Sequence, residues 1–282
     1  MIGLLKKSAV YAFAIISVVF TFVSEAAFGA FGVIPESILQ VFGDNSSEVN
    51  IILNRFLLFV IMWALTLVGY KVYLLCRNKI SIKGSNYKIT VEYGDLCKTK
   101  KCKKVIPFDE CFSTQIGNLP SEIKETSICG QYLNANPALE IHSLIEKSQL
   151  KPLKSKSKYN HQERFESGRI VPNGDDLLLA FAKLDESGLG RLSRDEYLES
   201  LSILWKEINK YYGQKDVCIP ILGSGLTRIE GGSGASLSQQ ELLDMIIWSY
   251  KLSSHKIKKP HRLRVICKRQ EDFSLDKIDS QA

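Results

Sequence analysis

Two long apolar stretches open the chain, and short alternating or compact apolar runs follow them. Ser8 to Ser24 is uncharged and rich in Val, Ile, Phe and Ala, and after Glu25 the chain stays uncharged from Ala26 to Pro35. A bilayer crossing takes roughly 20 residues, so the pattern predicts a first span over about 8–31 with Glu25 at one interface. The second stretch, Ile51–Cys76, carries no charge from Phe56 to Tyr70. Asn54 and Arg55 begin it, Lys71 snorkels near its far end, and Tyr70 and Tyr73 suit an interface. Ala26 and Ala30, with Gly29 beside them, offer a small-residue face for helix contact. A loop over about 32–50 joins the two spans.

Beyond Cys76 the periods shorten. Asn78–Asn86 reads as a basic exit segment. Tyr87–Tyr93 alternates with period two and predicts a strand that ends at Gly94-Asp95-Leu96. Lys98–Lys104 is a basic turn, and Val105–Phe108 resumes a strand. After a long polar loop, Asn136-Pro137 has the form of a helix start, leading a helix to about Ser148. Lys151–Arg164 is basic without apolar periodicity and reads as a solvated loop, with anionic ligand or lipid as a second reading. Leu177–Leu184 is a compact apolar run of strand length. Ser193–Glu196 and Ser238–Glu241 are capping boxes in front of apolar positions at helical spacing. Val217–Leu222 and Arg262–Lys268 predict two more strands, and 270–282 a frayed polar tail. Strands and helices that alternate in this way argue for a sheet with helices on both faces. The expected division is 1–76 membrane hairpin, 77–86 basic linker, 87–269 globular domain and 270–282 tail.

Charge adds an orientation. Lys6 and Lys7 precede the first span, and Lys71, Arg77, Lys79 and Lys83 follow the core of the second. The loop between carries Glu36, Asp44 and Glu48 and no Lys or Arg before Arg55. Basic flanks stay inside, so both termini are expected in the cytoplasm. A cleaved signal peptide is the rival reading of the first segment, with Ser24-Glu25-Ala26 as its cleavage region. The net charge of +7 on 282 residues is modest, and no nucleic-acid signature accompanies it. The seven cysteines form no CxxC and read as reduced thiols, and the four histidines show no metal spacing.

The candidate chemistry sits where Val217–Leu222 breaks into Gly223-Ser224-Gly225, followed by Leu226, Thr227 and Arg228. Glycines permit close backbone approach, and successive N–H groups in such a turn form a concavity for an anion. Phosphate is the natural ligand, although a turn of this kind is also common as plain structure. Sheets of this class bind at the carboxyl ends of their strands, where Gly94-Asp95 also falls.

These features together resemble a known family. The strand ending in Gly94-Asp95-Leu96, the later Ile219–Leu226 loop, Leu177–Leu184, the Leu201/Trp205 helix and the Ser238–Tyr250 helix resemble the macro domain of Thoeris antiphage effectors. The two leading spans match their membrane-anchored form. The resemblance implies a three-layer α/β/α macro-like domain with a mixed sheet behind two transmembrane helices. It implies an ADP-ribose derivative as ligand and no cofactor. It places Asp95 at the adenine end and wraps Gly223, Ser224, Gly225, Leu226, Thr227 and Arg228 around the diphosphate. The first phosphate loop falls at Phe108, Asp109, Ser113 and Thr114, with Gly130 in its continuation. It further implies a TIR-domain enzyme that makes the signal from NAD, a bacterial inner-membrane location, homo-oligomers on activation, and membrane disruption that ends in growth arrest or death. Phe108–Phe112 lacks the asparagine-rich pattern of hydrolytic relatives, which argues against an enzyme. Asp109 and Glu110 are the carboxylates a hydrolase would need, and a passive docking module is the third reading.

Overall fold

The computed structural model describes residues 2–24, 27–28, 35, 46–119, 121–230, 235–270 and 273–278. It divides into two compact units, Met1–Arg77 and Asn78–Ala282.

The first unit is a helical hairpin of α1 (Ile2–Phe22) and α2 (Ser46–Cys76). Both helices are long and apolar enough to cross a membrane, and most of their apolar side chains face outward, among them Val10, Phe13, Val18, Phe56, Leu65 and Val68. Buried Ala12 and Ile16 face the seam, and polar contacts cross it as well. Trp63 Nε1 donates to Ser8 Oγ at 3.2 Å, and Thr66 Oγ1 donates to the Ser8 carbonyl at 3.3 Å. Toward the other end the Arg55 guanidinium lies 5.3 Å from the Phe20 ring centre and 5.2 Å from that of Phe28. Such contacts fix helix register where the surroundings offer apolar groups only. The first helix starts at Ile2 rather than Ser8, and the second at Ser46 rather than Ile51. Glu48 in the first turn of α2 favours that earlier start through the helix dipole. Glu25, Ala26, Gly29, Ala30 and most of the predicted 32–50 loop lie outside the described residues.

The second unit is a mixed sheet. Its strands are β1 (Lys79–Lys83), β2 (Lys88–Tyr93), β3 (Cys102–Asp109), β4 (Ile170–Asn173), β5 (Asp176–Leu184), β6 (Gly190–Ser193), β7 (Asp216–Pro220), β8 (Arg228–Glu230) and β9 (Leu263–Cys267). The order is β1-β2-β9-β7-β3-β5-β6-β8, with β4 beside β5. From β2 across to β5 every pairing is parallel, so these five strands end at one edge. The helices are α3 (Ile128–Ala135), α4 (Ile141–Ser148), α5 (Arg194–Tyr211) and α6 (Gln239–Leu252). Strand parity divides the core. Val105, Leu177, Leu179, Val217, Ile219 and Val265 pack with Tyr197, Leu201, Trp205 and Ile246 of α5 and α6. Ile106, Phe108, Leu178, Ala180, Cys218 and Ile266 pack with Tyr132, Leu133, Ile141 and Ile145 of α3 and α4. Alternate residues point to opposite faces of a strand, so both faces are covered and the central strands read as apolar runs. Within one such run Cys218 Sγ comes to 2.8 Å from Cys102 Sγ on the neighbouring strand. Their mutual contact lowers the pKa of the Cys102 thiol and raises that of Cys218.

Several elements depart from the sequence reading. The basic exit segment is strand β1, in which Ile80 and Ile82 alternate with Lys79, Ser81 and Lys83. Lys103 and Lys104 belong to β3, because Cys102 already faces the core. Asn136 ends a helix instead of starting one: its N–H donates to the Leu133 carbonyl and its Nδ2 to that of Tyr132. The next helix opens only at Ile141, after Glu140. Finally, 273–278 is not frayed. Phe273, Leu275 and Ile278 are buried, and the Phe273 ring meets Tyr93 edge-on at 5.9 Å. Phe273→Ala and Leu275→Ala should each cost roughly 2–4 kcal/mol of stability. Denaturant titration of the full chain reads this directly, and a loose tail would leave both variants as stable as the wild type.

Candidate functional site

The parallel strands bring the loops after β2, β3, β5 and β7 to the carboxyl edge of the sheet. The loop after β2 begins at Gly94, whose N–H donates to the Cys267 carbonyl at the end of β9 at 3.0 Å. Asp95 then caps a 3-10 turn over Leu96–Lys98. Its Oδ1 accepts the Cys97 N–H at 3.0 Å, and Lys98 Nζ lies 3.9 Å from Oδ2. The turn-capping role is therefore present, and it leaves Oδ2 outside the turn's own hydrogen bonds on a part-exposed side chain.

The loop after β7 is held from below. Tyr197 of α5, fully buried, donates its hydroxyl to the Leu222 carbonyl at 3.0 Å. Ser224 donates both its N–H (3.3 Å) and its Oγ–H (2.7 Å) to the Ile221 carbonyl. The N–H groups of Gly225, Leu226 and Thr227 make no internal hydrogen bond among the described residues. The two glycines serve different needs. Gly223 has φ +82°, and a methyl group there would come within 2.7 Å of Ile229 Cγ1. Gly225 has open space where its side chain would be. The fold demands the first glycine, whereas bareness at the second matters only to something outside the chain. Thr227 packs near Gly190 of β6, and exposed Arg228 starts β8. Among the described residues Arg228 carries no ion pair.

After β3 the predicted phosphate loop is wound around its own carboxylate. Asp109 Oδ1 accepts the N–H groups of Cys111 (2.8 Å) and Ser113 (3.1 Å), with Phe112 at φ +53° between them. Desolvation raises the Asp109 pKa from its ordinary value, against the pull of its bonds to Ser113 and Cys111. Phe108 is a core residue, ringed by Phe112 and Tyr132. Thr114 is exposed and Ser113 half-buried. Gly130 sits in the first turn of α3, its N–H given to Ser127 Oγ at 3.0 Å. Any side chain there would run into the Lys124 carbonyl, so packing alone accounts for that glycine.

Glu110 has the role that sequence reading missed. Its carboxylate, 2% exposed, accepts from Ser157 Oγ (2.7 Å), the Leu184 N–H (3.2 Å) and Arg164 Nη1 (3.1 Å). Both oxygens are committed, so Glu110 does not stand free as a general base. Partners 47, 54 and 74 positions away along the chain leave no local pattern that would have revealed this.

A groove of about 470 Å³ lies elsewhere, lined by Asn136, Pro137, Leu144, Lys147 and Asn173 among others. Asn173 stands ahead of β5, so the groove opens near the amino ends of the strands, apart from these four loops.

A family model described as Thoeris protein ThsA, macro domain, matches residues 89–268. Among curated proteins, Thoeris protein ThsA of Bacillus amyloliquefaciens (strain Y2) is 27% identical over 203 residues, 68% of this chain and 66% of the relative, just under two thirds of its length. Among solved structures, a macrodomain of Oceanobacillus iheyensis with ADP is 9% identical with a TM-score of 0.43, covering 72% of this chain and 98% of that one. The macrodomain of Thermus aquaticus DarG is 15% identical with a TM-score of 0.36, covering 64% and 98%.

Two outcomes follow from the loop geometry. Gly223→Ala should lower the melting temperature by several degrees, because a left-handed φ and the Ile229 contact both oppose it, whereas Gly225→Ala should leave it within about a degree. Equal effects would show that the glycines are not divided in this way. Asp109→Asn keeps both accepted N–H bonds and removes a charge that is costly to desolvate. A raised folded pKa means that ionised Asp109 subtracts stability above that pKa and that the loss is recovered as pH falls through it. The variant should therefore match or exceed wild-type stability at neutral pH, with the gap narrowing in acid. A gap that widens in acid would contradict the assignment.

Proposed function

The chain belongs to the Thoeris ThsA macro-domain family, and on that premise we propose that it is a membrane-anchored antiphage effector whose macro domain senses an ADP-ribose-derived signal. The observation that carries the reading is the loop after β7: a fixed turn that presents unspent backbone N–H groups beside a bare Gly225. Such N–H groups hold phosphate oxygens. Gly223, Ser224, Gly225, Leu226, Thr227 and Arg228 then take the diphosphate, and Asp95 Oδ2, which lies 3.9 Å from the exposed Lys98 ammonium, accepts from the adenine amino group. The loop of Asp109, Ser113 and Thr114 closes the far side. Phe108 and Gly130 support that loop from the core.

In this reading the signal is the product of a TIR-domain enzyme that consumes NAD. The α1–α2 hairpin lies in the inner membrane with both termini cytoplasmic, and its outward apolar faces contact lipid. Two helices cannot enclose a pore, so membrane disruption requires several copies. Ligand drives that assembly only if it binds the active arrangement better than the resting one. The commitment of both Glu110 oxygens supports a sensor over a hydrolase.

Calorimetry on the full chain in detergent, with ADP-ribose and its base- or amino-acid-linked conjugates, tests the proposal. One conjugate should bind and be recovered intact, and Gly225→Val should weaken it at least about tenfold while melting like the wild type. Absence of binding by folded wild type sinks the sensor reading, and steady conversion of the conjugate would make the protein a hydrolase.

A further inference from the structure

Residues 151–164 form a hairpin. The Leu153 N–H donates to the Arg164 carbonyl at 2.8 Å and the Ser157 N–H to that of Gln162 at 3.0 Å. Asn160 and His161 both have positive φ, 51° and 50°, the backbone that a tight hairpin turn requires. Arg164 fastens the base: it donates to the Ser155 carbonyl (3.1 Å), to Ser155 Oγ (2.6 Å) and to buried Glu110. Burying a carboxylate is costly unless it is paired and fully hydrogen-bonded. A loop that merely floats in solvent calls for no such anchor.

The anchor fixes where the hairpin stands. Glu110 immediately follows β3 and bonds the end of β5 at Leu184. Tyr159 of the hairpin flanks Gly188 in the β5–β6 turn, where a methyl group would lie 3.1 Å from its ring. Across the carboxyl edge the strands run β2, β9, β7, β3, β5, about 4.8 Å apart. A ligand with its base at Asp95 after β2 and its diphosphate on the loop after β7 therefore extends toward the ends of β3 and β5. The hairpin stands at that far end.

Its charge is largely unspent. Lys156 pairs with Glu163 at 3.3 Å and Arg164 with Glu110. Lys151, Lys154 and Lys158 are exposed and carry no ion pair among the described residues. Resting on the ligand orientation proposed above, we infer that this hairpin is a specificity element: Lys154 and Lys158 select a ligand with an anionic group beyond its diphosphate, and Arg164 and Glu110 are the positioning residues that hold them there.

The test uses the full chain in detergent and two probes, ADP-ribose 1″-phosphate and its neutral counterpart 1″-O-methyl ADP-ribose. Wild type should prefer the phosphate on the order of tenfold, a preference that weakens with salt. Lys154→Ala/Lys158→Ala should erase the preference while binding of the neutral probe changes less than about twofold. Arg164→Gln should erase it too, and Arg164→Lys should restore part of it. An unselective wild type, or a double lysine variant that keeps the preference, overturns the inference and leaves the sensor reading intact. Failure of folded wild type to bind either probe overturns the inference as well, while the sensor reading is decided by the conjugates named above.

Discussion

Parallel pairing from β2 to β5 is the constraint on which the rest of the second unit depends. It requires crossover connections, which place α3 and α4 on one face and α5 and α6 on the other. Cover on both faces requires apolar side chains on both sides of each central strand, and Ile106 with Val105, or Leu178 with Leu177, meet that need. It also sends every central strand out at one edge. Four loops with little local similarity thus arrive together, and their backbone groups, no longer spent on a ladder, become available to a ligand.

What could be read from the sequence follows the same constraint. β5 and β7 were legible because a strand buried on both faces is an uninterrupted apolar run, and α5 and α6 because each begins with a capping box. β1 was not, since three of its five positions are exposed and two of those are lysines. β4, β6 and β8 are only three or four residues long, too short to establish a period. Asn136 misled because asparagine next to proline suits a helix start and also suits the turn that leaves a helix. The tail looked polar because its three anchors, Phe273, Leu275 and Ile278, are spread among charged residues.

The candidate site was legible as chemistry and illegible as mechanics. Glycine, serine and threonine after a strand point to phosphate without any coordinates. That Gly223 answers to Ile229 while Gly225 answers to nothing inside the chain needs the fold, because Ile229 returns to the loop through β8. The adjacent carboxylates Asp109 and Glu110 looked alike in sequence. One ties up its own loop and the other anchors a hairpin 54 positions later, a difference created by contacts between remote segments.

The place of β1 in the sheet fixes where the chain enters the second unit. The ten-residue linker expected over 77–86 shrinks to Arg77 and Asn78, between α2 at Cys76 and β1 at Lys79. Because β1 runs antiparallel to β2, with Lys79 opposite Glu92, the chain comes into the sheet at the same edge that carries the four loops. Asn78 is fastened there: its carbonyl accepts the Tyr93 N–H at 3.0 Å, and its Oδ1 accepts from Arg269, whose guanidinium covers the Tyr93 ring. Asp95 stands two residues beyond Tyr93. A nucleotide that ordered the Asp95 turn would therefore act on the end of β2, to which Asn78 is bonded within the same unit.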